Sequence, residues 1–159
     1  MDIVRLSVPG TLLYRNVVLR VVASVCRLVR SSSGSKQEAN RENHTEDFDD
    51  KIVSAVGEAF NNIAIHAYGR GRVEGRVELE IGFELNTLTI RLQDTGDGFN
   101  LSSELGQGLG TLRESHMGLE IIFACMDEVT YTRGGPTTPN VLTMSKRYSA
   151  NPAAPTLDD

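Results

Sequence analysis

Residues 52–68 read IVSAVGEAFNNIAIHAY and place apolar side chains at the spacing of an amphipathic α-helix. Glu58 and Asn62 are four residues apart in this run, so a helix brings both side chains to one face, one turn apart. The sequence GRG at 69–71 ends the helix at about Tyr68. An aspartate at its start suits the helix dipole and can cap the first turn, and the candidates are Asp47, Asp49 and Asp50. The predicted helix thus presents a carboxylate and an amide oxygen side by side.

Two predicted strands follow this helix, over residues 73–83 and 86–93. The second strand alternates apolar and polar side chains, so that one of its faces is buried. Its apolar positions are Leu88, Ile90 and Leu92. The strand ends at Asp94, which opens the pattern D-x-G-x-G. The two glycines of this pattern permit a tight turn and a close approach of the backbone to a ligand.

The remaining elements follow from shorter patterns. We expect a first strand at 3–8, closed by Pro9-Gly10, and an amphipathic helix at 12–30 with its arginines on the polar side. A helix at 117–126 precedes two closing strands, at 128–132 and 141–148. The order strand, helix, helix, strand, strand, loop, helix, strand, strand predicts an α+β fold. This is a two-layer α/β sandwich whose mainly antiparallel sheet has helices on one face.

A single domain is expected over residues 1–148, because neither segment that flanks residues 31–46 carries enough apolar residues for a core of its own. Polar residues at 31–46 predict a flexible loop within this domain. Residues 95–116 are rich in glycine and lack periodicity, which predicts a lid over a binding site. Residues 149–159 predict a disordered tail.

The composition is that of a soluble globular protein, with 40% hydrophobic and 23% charged residues. A net charge of −5 argues against a general nucleic-acid surface, which needs a basic stripe. Three arginines interrupt the apolar run 12–29, which argues against a membrane span, and the first residues lack the pattern of a signal peptide. Cys26 and Cys125 lie among apolar neighbours and are interpreted as reduced thiols. We therefore expect a cytoplasmic protein.

The helix and the strand end carry the chemistry that an ATP site needs. The amide oxygen of Asn62 suits Mg²⁺, which takes oxygen ligands and keeps waters and substrate phosphates. Glu58 can orient, or accept a proton from, a hydroxyl or water that attacks the γ-phosphate. Asp94 can accept a hydrogen bond from the adenine amino group, with Gly96 and Gly98 leaving space for the ring. Taken singly, these residues have ordinary structural roles, and it is their order and spacing together that favour a nucleotide site.

The phosphates need a separate set of donors. Gly118 is predicted to open the helix after the lid, and backbone N–H groups at a helix start, together with the helix dipole, bind phosphate. The sequence GQGLG at 106–110 is the alternative phosphate-binding segment. Gly118 is favoured because a helical pattern follows it directly.

Four segments of the chain resemble the motifs of the GHKL ATPases, and among these the serine kinases that act as anti-sigma factors in bacterial partner switching. Residues 55–68 are similar to the N box of that family, including its His-Ala-Tyr ending, and residues 94–99 to its G1 box. Residues 117–129 resemble the helix and strand after the lid, and 140–144 resemble the final strand. The resemblance spans about residues 3–148.

The resemblance implies a Mg²⁺-ATP-dependent serine/threonine protein kinase. It assigns Glu58 as the base that activates a hydroxyl on an antagonist protein, and Asn62 as the Mg²⁺ ligand. The nucleotide-binding residues that it implies are Asn61, Asn62, Asp94, Gly96, Gly98, Gly118, Leu119 and Thr143, the last of these near adenine. The implied partners are an anti-sigma factor antagonist with a STAS-type domain, a sigma factor or similar regulator, and a second copy in a homodimer. Neither direct nucleic-acid binding nor membrane binding is implied.

The chain departs from the family just before the post-lid glycine, where many relatives carry an arginine. Glu114 stands at about that position, between Arg113 and His116. This departure favours, as an alternative, a module that binds nucleotide and sequesters a regulator with little or no kinase activity. A second alternative is an ATPase domain of the histidine-kinase type, although no upstream helix pair with a phospho-acceptor histidine is evident and His44 lies in a polar segment.

Overall fold

One antiparallel sheet of five strands forms the base of the fold. The computed structural model describes residues 2–32, 42–68, 75–98 and 114–148. The strands are β1 (Asp2–Pro9), β2 (Arg76–Glu84), β3 (Thr87–Asp94), β4 (Glu128–Thr132) and β5 (Asn140–Arg147). Their order across the sheet is β1-β2-β3-β5-β4. The β2–β3 turn places Leu85 and Asn86 at positive φ, which is typical of a two-residue type I′ hairpin.

Three helices accompany the sheet. They are α1 (Arg15–Ser32), which follows a 3₁₀ turn (Leu12–Tyr14), α2 (Glu42–Asn62), which continues into a π-helical turn (Ile63–Ala67), and α3 (Glu114–Cys125). The helix α2 lies between α1 and α3 and packs against both. It is therefore the central element of the helical layer.

The strands divide their side chains between a buried and a polar face. On β3, Leu88, Ile90 and Leu92 are buried in the core that the helices complete. The opposite face carries a polar row in which Arg5 of β1, Glu80 of β2 and Arg91 of β3 are register partners. Nε of Arg5 donates a hydrogen bond of 2.9 Å to Oε2 of Glu80. The helices thus cover one face of the sheet, which confirms the predicted α+β sandwich.

The ends of the first two helices differ from the prediction. α1 continues through Ser32 and α2 begins at Glu42, so residues 31–32 and 42–46 are helical rather than part of a loop. Residues 33–41, in the middle of the predicted loop, lie outside the described residues, as does the predicted tail at 149–159.

The three candidate capping aspartates lie inside α2 and do not cap it. Asp49 instead pairs across to α1, where Nη2 of Arg30 lies 3.0 Å from its Oδ2. Burial raises the pKa of Asp49, and the charge of Arg30 opposes that shift. Asp47 forms an (i, i+4) ion pair with Lys51 at 2.7 Å. The predicted cap was wrong because the polar sequence of residues 42–46 resembles a loop, whereas α2 already begins at Glu42.

Both cysteines are free, as the prediction of reduced thiols requires. Cys26 is fully buried between the helices and sheet, and burial raises the pKa of its thiol to about 12. A thiol with so high a pKa stays protonated and unreactive. Within the described residues, no helix combines the length and the apolar character that crossing a bilayer requires.

Candidate functional site

Glu58 and Asn62 face the same glycine of the neighbouring helix. A Cβ atom built on Gly118 of α3 would lie 3.0 Å from Oε2 of Glu58, 3.6 Å from Oδ1 of Asn62 and 3.8 Å from Nδ2 of Asn62. Both α2 side chains are half-buried, whereas Gly118 is buried. The helical spacing of Glu58 and Asn62 therefore brings a carboxylate and an amide together at the α2–α3 contact. Asn61, three residues after Glu58, lies at the flank of the same helix face and is also half-buried.

Gly118 does not open its helix. α3 begins at Glu114, so Gly118 is its fifth residue and its N–H group falls after the N-terminal amides that lack an intrahelical partner. Glu114 and His116, predicted as lid residues, belong to this helix. The structure supports a different role for Gly118, because the absence of a side chain lets α3 approach Glu58 and Asn62 closely. The alternative phosphate segment at 106–110 lies outside the described residues.

Adding one methyl group at Gly118 tests this close approach. We expect Gly118→Ala to displace the Glu58 carboxylate by a few tenths of an ångström, because the new Cβ would be 3.0 Å from Oε2. Alanine is about 1 kcal/mol more favourable than glycine in a helix interior. The variant should therefore keep or gain stability in urea unfolding, while any activity that depends on the position of the Glu58 carboxylate falls by roughly tenfold through its misplacement. An unchanged activity in a folded variant would contradict this role.

Asp94 lies at the end of β3 and is buried, with 6% of its surface exposed. Its Oδ1 accepts two hydrogen bonds of 2.9 Å, one from the backbone N–H of Gly96 and one from Nδ2 of Asn140. Burial raises the pKa of Asp94, and these two hydrogen bonds oppose the shift. Because both bonds fall on Oδ1, Oδ2 is the oxygen that a ligand's amino group would use.

Asn140 is the site residue that the sequence analysis missed. It is the register partner of Asp94 and is 4% exposed. Its Nδ2 also donates to the carbonyl of Gly96 at 3.0 Å, and its Oδ1 accepts from the N–H of Gly134 at 2.9 Å. A sequence signal existed, because Asn140 is the polar member of an alternating series in β5 whose other members are the buried Leu142 and Met144. One amide thus orients the carboxylate and two glycine-containing turns.

A buried carboxyl group with a raised pKa makes stability depend on pH. The native pKa of Asp94 lies above the ordinary value of about 3.9, so above about pH 4 the unfolded chain loses its proton first. The free energy of unfolding of the natural protein, relative to an Asp94→Asn variant, should therefore fall as pH rises through the native pKa. Urea unfolding of both proteins between about pH 4 and about pH 7 measures this difference. A constant difference, or one that grows with pH, would contradict it.

The glycines of the D-x-G-x-G turn contact protein at the positions predicted to leave space for a ring. A Cβ on Gly96 would lie 2.5 Å from Cβ of Ala67, and a Cβ on Gly98 would lie 2.6 Å from Oδ1 of Asn140 and 2.7 Å from Cγ of Arg133. The missing side chains therefore let this turn pack tightly against the π-turn and against the β4–β5 connection. Their predicted function of making room for adenine stays a prediction, beside this packing role.

Two other predicted nucleotide contacts, Thr143 and Leu119, differ from Asp94 in their surroundings. Thr143 is the register partner of Arg91 on β3 and of Thr130 on β4, in the polar row on the face opposite Asp94. Because neighbouring residues of a strand point to opposite faces, Asn140 shares the face of Asp94 and Thr143 does not. Leu119 is a member of the buried core. The register of β5 therefore places Thr143 and Asp94 on opposite faces of the sheet, so one adenine base cannot lie against both side chains on the same face.

The two halves of the site contact the same helical segment. Glu58 and Asn62 belong to α2, and its π-turn ends at Ala67, whose carbonyl accepts a hydrogen bond of 3.4 Å from the N–H of Asp97. Ala67 is five positions after Asn62, which corresponds to about 7 Å along a helix axis. The α2–α3 contact and the turn after Asp94 are therefore adjacent regions at the C-terminal end of α2.

Comparison with known proteins identifies a family and several relatives that this chain resembles. The family model described as "Histidine kinase-like ATPase domain" matches residues 18–146. The chain is 30% identical over 137 residues to "Serine-protein kinase RsbW" of Staphylococcus epidermidis, covering 80% of this chain and 83% of that protein. It is 29% identical over 145 residues to "Serine-protein kinase RsbW" of Staphylococcus aureus strain JH9, covering 86% of this chain and 83% of that protein.

A solved structure is also similar. The histidine kinase domain of the Erythrobacter litoralis EL346 blue-light activated histidine kinase has a TM-score of 0.48 and 22% identity, covering 62% of this chain and 44% of that chain.

The family match extends over most of the described elements, from α1 to β5. The chain therefore belongs to the histidine kinase-like ATPase domain family, as a member of the RsbW-like serine-protein kinases of the GHKL superfamily.

Proposed function

We propose that this protein is a Mg²⁺-ATP-dependent serine/threonine protein kinase that phosphorylates a small antagonist protein and sequesters a sigma factor or similar regulator. The observation that carries the proposal is the convergence of Glu58 and Asn62 on Gly118. A carboxylate and an amide oxygen, both half-buried, face one small volume at the helix contact. That pair supplies a proton acceptor and an oxygen ligand for a hard cation.

The donor set fits Mg²⁺ bound together with a nucleotide. Mg²⁺ keeps several waters and is usually bound through one or two protein oxygens plus substrate phosphates. Asn62 would supply such an oxygen, and the cation would neutralise charge that develops on the transferred phosphoryl group. Within the described ranges no group of three or more His, Cys, Asp or Glu side chains could hold a metal ion alone.

We assign to Glu58 the role of general base in phosphotransfer. In the proposed reaction its carboxylate accepts the proton of a serine or threonine hydroxyl while that oxygen forms a bond to the γ-phosphorus. The bond between the γ-phosphorus and the β,γ-bridging oxygen breaks, and ADP leaves with the electron pair. Asp94 binds the adenine amino group through Oδ2, because its Oδ1 already accepts hydrogen bonds from Gly96 and Asn140.

A protein-binding surface is supported by apolar side chains near the N-terminal end of α1. Leu12, Leu13 and Val17 are 51%, 82% and 46% exposed. Grouped exposed apolar side chains mark protein interaction sites more often than scattered ones do. We propose that the antagonist, the regulator or a second copy of the chain binds to this apolar surface, and that it does so in the cytoplasm.

Phosphotransfer to candidate antagonists tests the proposal. The protein is incubated with Mg²⁺ and ATP labelled at the γ-phosphate, together with small STAS-type domains encoded beside its gene. Transfer of acid-stable label to a serine or threonine of one such domain supports the kinase. Nucleotide binding without transfer to any of them supports the sequestration module instead, and acid-labile label on histidine supports a histidine-kinase-type ATPase domain.

Sequestration is tested separately. Regulators encoded in the same gene cluster are mixed with the protein, and complexes are separated by size-exclusion chromatography with and without the unphosphorylated antagonist. A regulator complex that the antagonist dissolves is the expected result. The absence of any complex would leave a kinase without the proposed inhibitory output.

A further inference from the structure

Tyr68 joins three segments of the chain through one hydroxyl group. It follows the π-turn at the end of α2, and its Oη donates a hydrogen bond of 3.0 Å to the carbonyl of Arg76 at the start of β2. The same oxygen accepts a bond of 2.8 Å from the backbone N–H of Thr95 and lies 3.4 Å from Oγ1 of Thr95. One phenol hydroxyl has one hydrogen to donate and lone pairs to accept. The hydrogen-bonding capacity of this hydroxyl is thus used within the protein.

Three successive backbone N–H groups of the turn after Asp94 each donate a hydrogen bond within the protein. The N–H of Thr95 donates to Oη of Tyr68, the N–H of Gly96 donates to Asp94 itself, and the N–H of Asp97 donates to the carbonyl of Ala67. Two of these three acceptors belong to consecutive residues at the end of α2. The turn that contains Asp94 is therefore attached to the helix that carries Glu58 and Asn62.

The π-turn determines the positions of two of these acceptors, the carbonyl of Ala67 and the hydroxyl of Tyr68. The N–H of Tyr68 donates to the carbonyl of Ile63, five residues earlier, at 3.3 Å. A single π-turn within a helix is rare and is frequent at functional sites. The wider turn rotates Ala67 and Tyr68 away from the positions that a continued α-helix would give them. Both then lie against the turn at Thr95–Asp97.

The ring of Tyr68 is enclosed from its other side by two glycines. A Cβ atom on Gly10 or on Gly75 would collide with ring carbons of Tyr68. These glycines are joined by a hydrogen bond of 2.8 Å from the N–H of Gly10 to the carbonyl of Gly75. The absence of side chains at both positions leaves the ring a fixed slot between the ends of β1 and β2.

We propose that Tyr68 is a positioning residue for nucleotide binding, which fixes the turn after Asp94 so that this carboxylate is oriented toward the adenine base. The inference rests on the proposed nucleotide site at Asp94. The hydroxyl acts through the Thr95 amide and touches no reacting atom. It sets how well the base is bound and leaves the phosphotransfer step to Glu58.

The substitution Tyr68→Phe removes the hydroxyl and keeps the ring in its slot. The dissociation constant for ATP, measured by calorimetry, and its KM should both rise by roughly three- to tenfold, as expected when the hydrogen bond that holds the Thr95 amide is lost. The value of kcat at saturating ATP should stay within about twofold, because Glu58 is undisturbed. The matched control is Tyr14→Phe, since no hydrogen bond of the half-buried Tyr14 hydroxyl occurs among the described residues. That control should bind ATP as the natural protein does.

Two further measurements separate positioning from general stability. In the absence of nucleotide, the Thr95 amide should exchange with solvent faster in Tyr68→Phe, while amides in the middle of β3 keep their protection. Gly75→Ala displaces the ring from the opposite side without removing the hydroxyl, and it should weaken ATP binding in the same direction. Loss of binding in proportion to a general fall in the free energy of unfolding, with no selective change at Thr95, would overturn the inference.

The outcomes distinguish this inference from the proposed function. If the natural protein binds no adenine nucleotide, the proposed function fails and the inference fails with it. If the natural protein binds ATP, Asp94→Asn does not, and Tyr68→Phe binds as tightly as the natural protein, then only the inference is overturned. Equal losses in Tyr68→Phe and Tyr14→Phe would also overturn it.

Discussion

Replacement of Glu58 by glutamine is expected to lower the rate of phosphotransfer by roughly 10²–10⁴-fold while ATP affinity changes by no more than a few-fold. Glutamine keeps the shape of the side chain beside Gly118 but cannot accept a proton, which is the contribution of a general base. The loss should appear in kcat, because the proposed interaction is made only as the acceptor hydroxyl is deprotonated. Single-turnover phosphorylation of the antagonist domain, with ATP binding measured by calorimetry, separates the two quantities.

A glutamate remote from the site provides the matched control. Glu84 is exposed at the end of β2, beside the β2–β3 turn and at the opposite end of the hairpin from Asp94. Glu84→Gln makes the same chemical change there. Its phosphotransfer should equal that of the natural protein. If Glu58→Gln phosphorylates the antagonist at the rate of the natural protein, Glu58 is not the general base. Its side chain then serves only the packing of α2 against α3.

The second large effect is expected at Asp94, where asparagine should weaken ATP binding by at least about 100-fold. The new side chain can keep both hydrogen bonds to its Oδ1, from Gly96 and Asn140, so the turn should stay intact. Its Nδ2 then replaces Oδ2 and sets a donor against the adenine amino group. A hydrogen bond to a charged group contributes about 1.5–3 kcal/mol, and a buried unpaired donor adds a further cost of about 1–3 kcal/mol.

Nucleotides with a hypoxanthine base make this prediction specific. Hypoxanthine has a carbonyl oxygen where adenine has the amino group, so the natural protein should prefer ATP over ITP, and Asp94→Asn should lose or reverse that preference. The matched control is Asp50→Asn, because Asp50 is exposed on α2. An Asp94→Asn variant that keeps its affinity for ATP and its preference over ITP would remove Asp94 from the base-binding role.

The sequence predicted those features of the site that depend on local spacing. The face shared by Glu58 and Asn62 follows from the helical period, and the position of Asp94 at a strand end follows from the alternation before it. These features need no knowledge of which elements pack together. They were therefore accessible without a structure.

The features that were missed depend on long-range pairing. Asn140 lies beside Asp94 only because β5 pairs with β3 in one particular register, and a shift of one residue exchanges the two faces of a strand. That same register places Thr143 on the face of the sheet opposite Asp94. The π-turn before Tyr68 changes the hydrogen bonding from i−4 to i−5 without changing the apolar pattern of the helix. Neither property is encoded in the periodicity of a single segment.

The central position of β3 has a consequence for how a bound molecule would be released. β3 has hydrogen-bonded neighbours on both sides, and backbone amides of such a strand open only at free energies close to that of global unfolding. α3 packs mainly on α2, so the Gly118 end of the candidate site depends on a contact between two helices and not on strand pairing. In the proposed complex, the adenine would therefore rest on paired strands, whereas the phosphates would rest on a helix contact that can open without breaking the sheet.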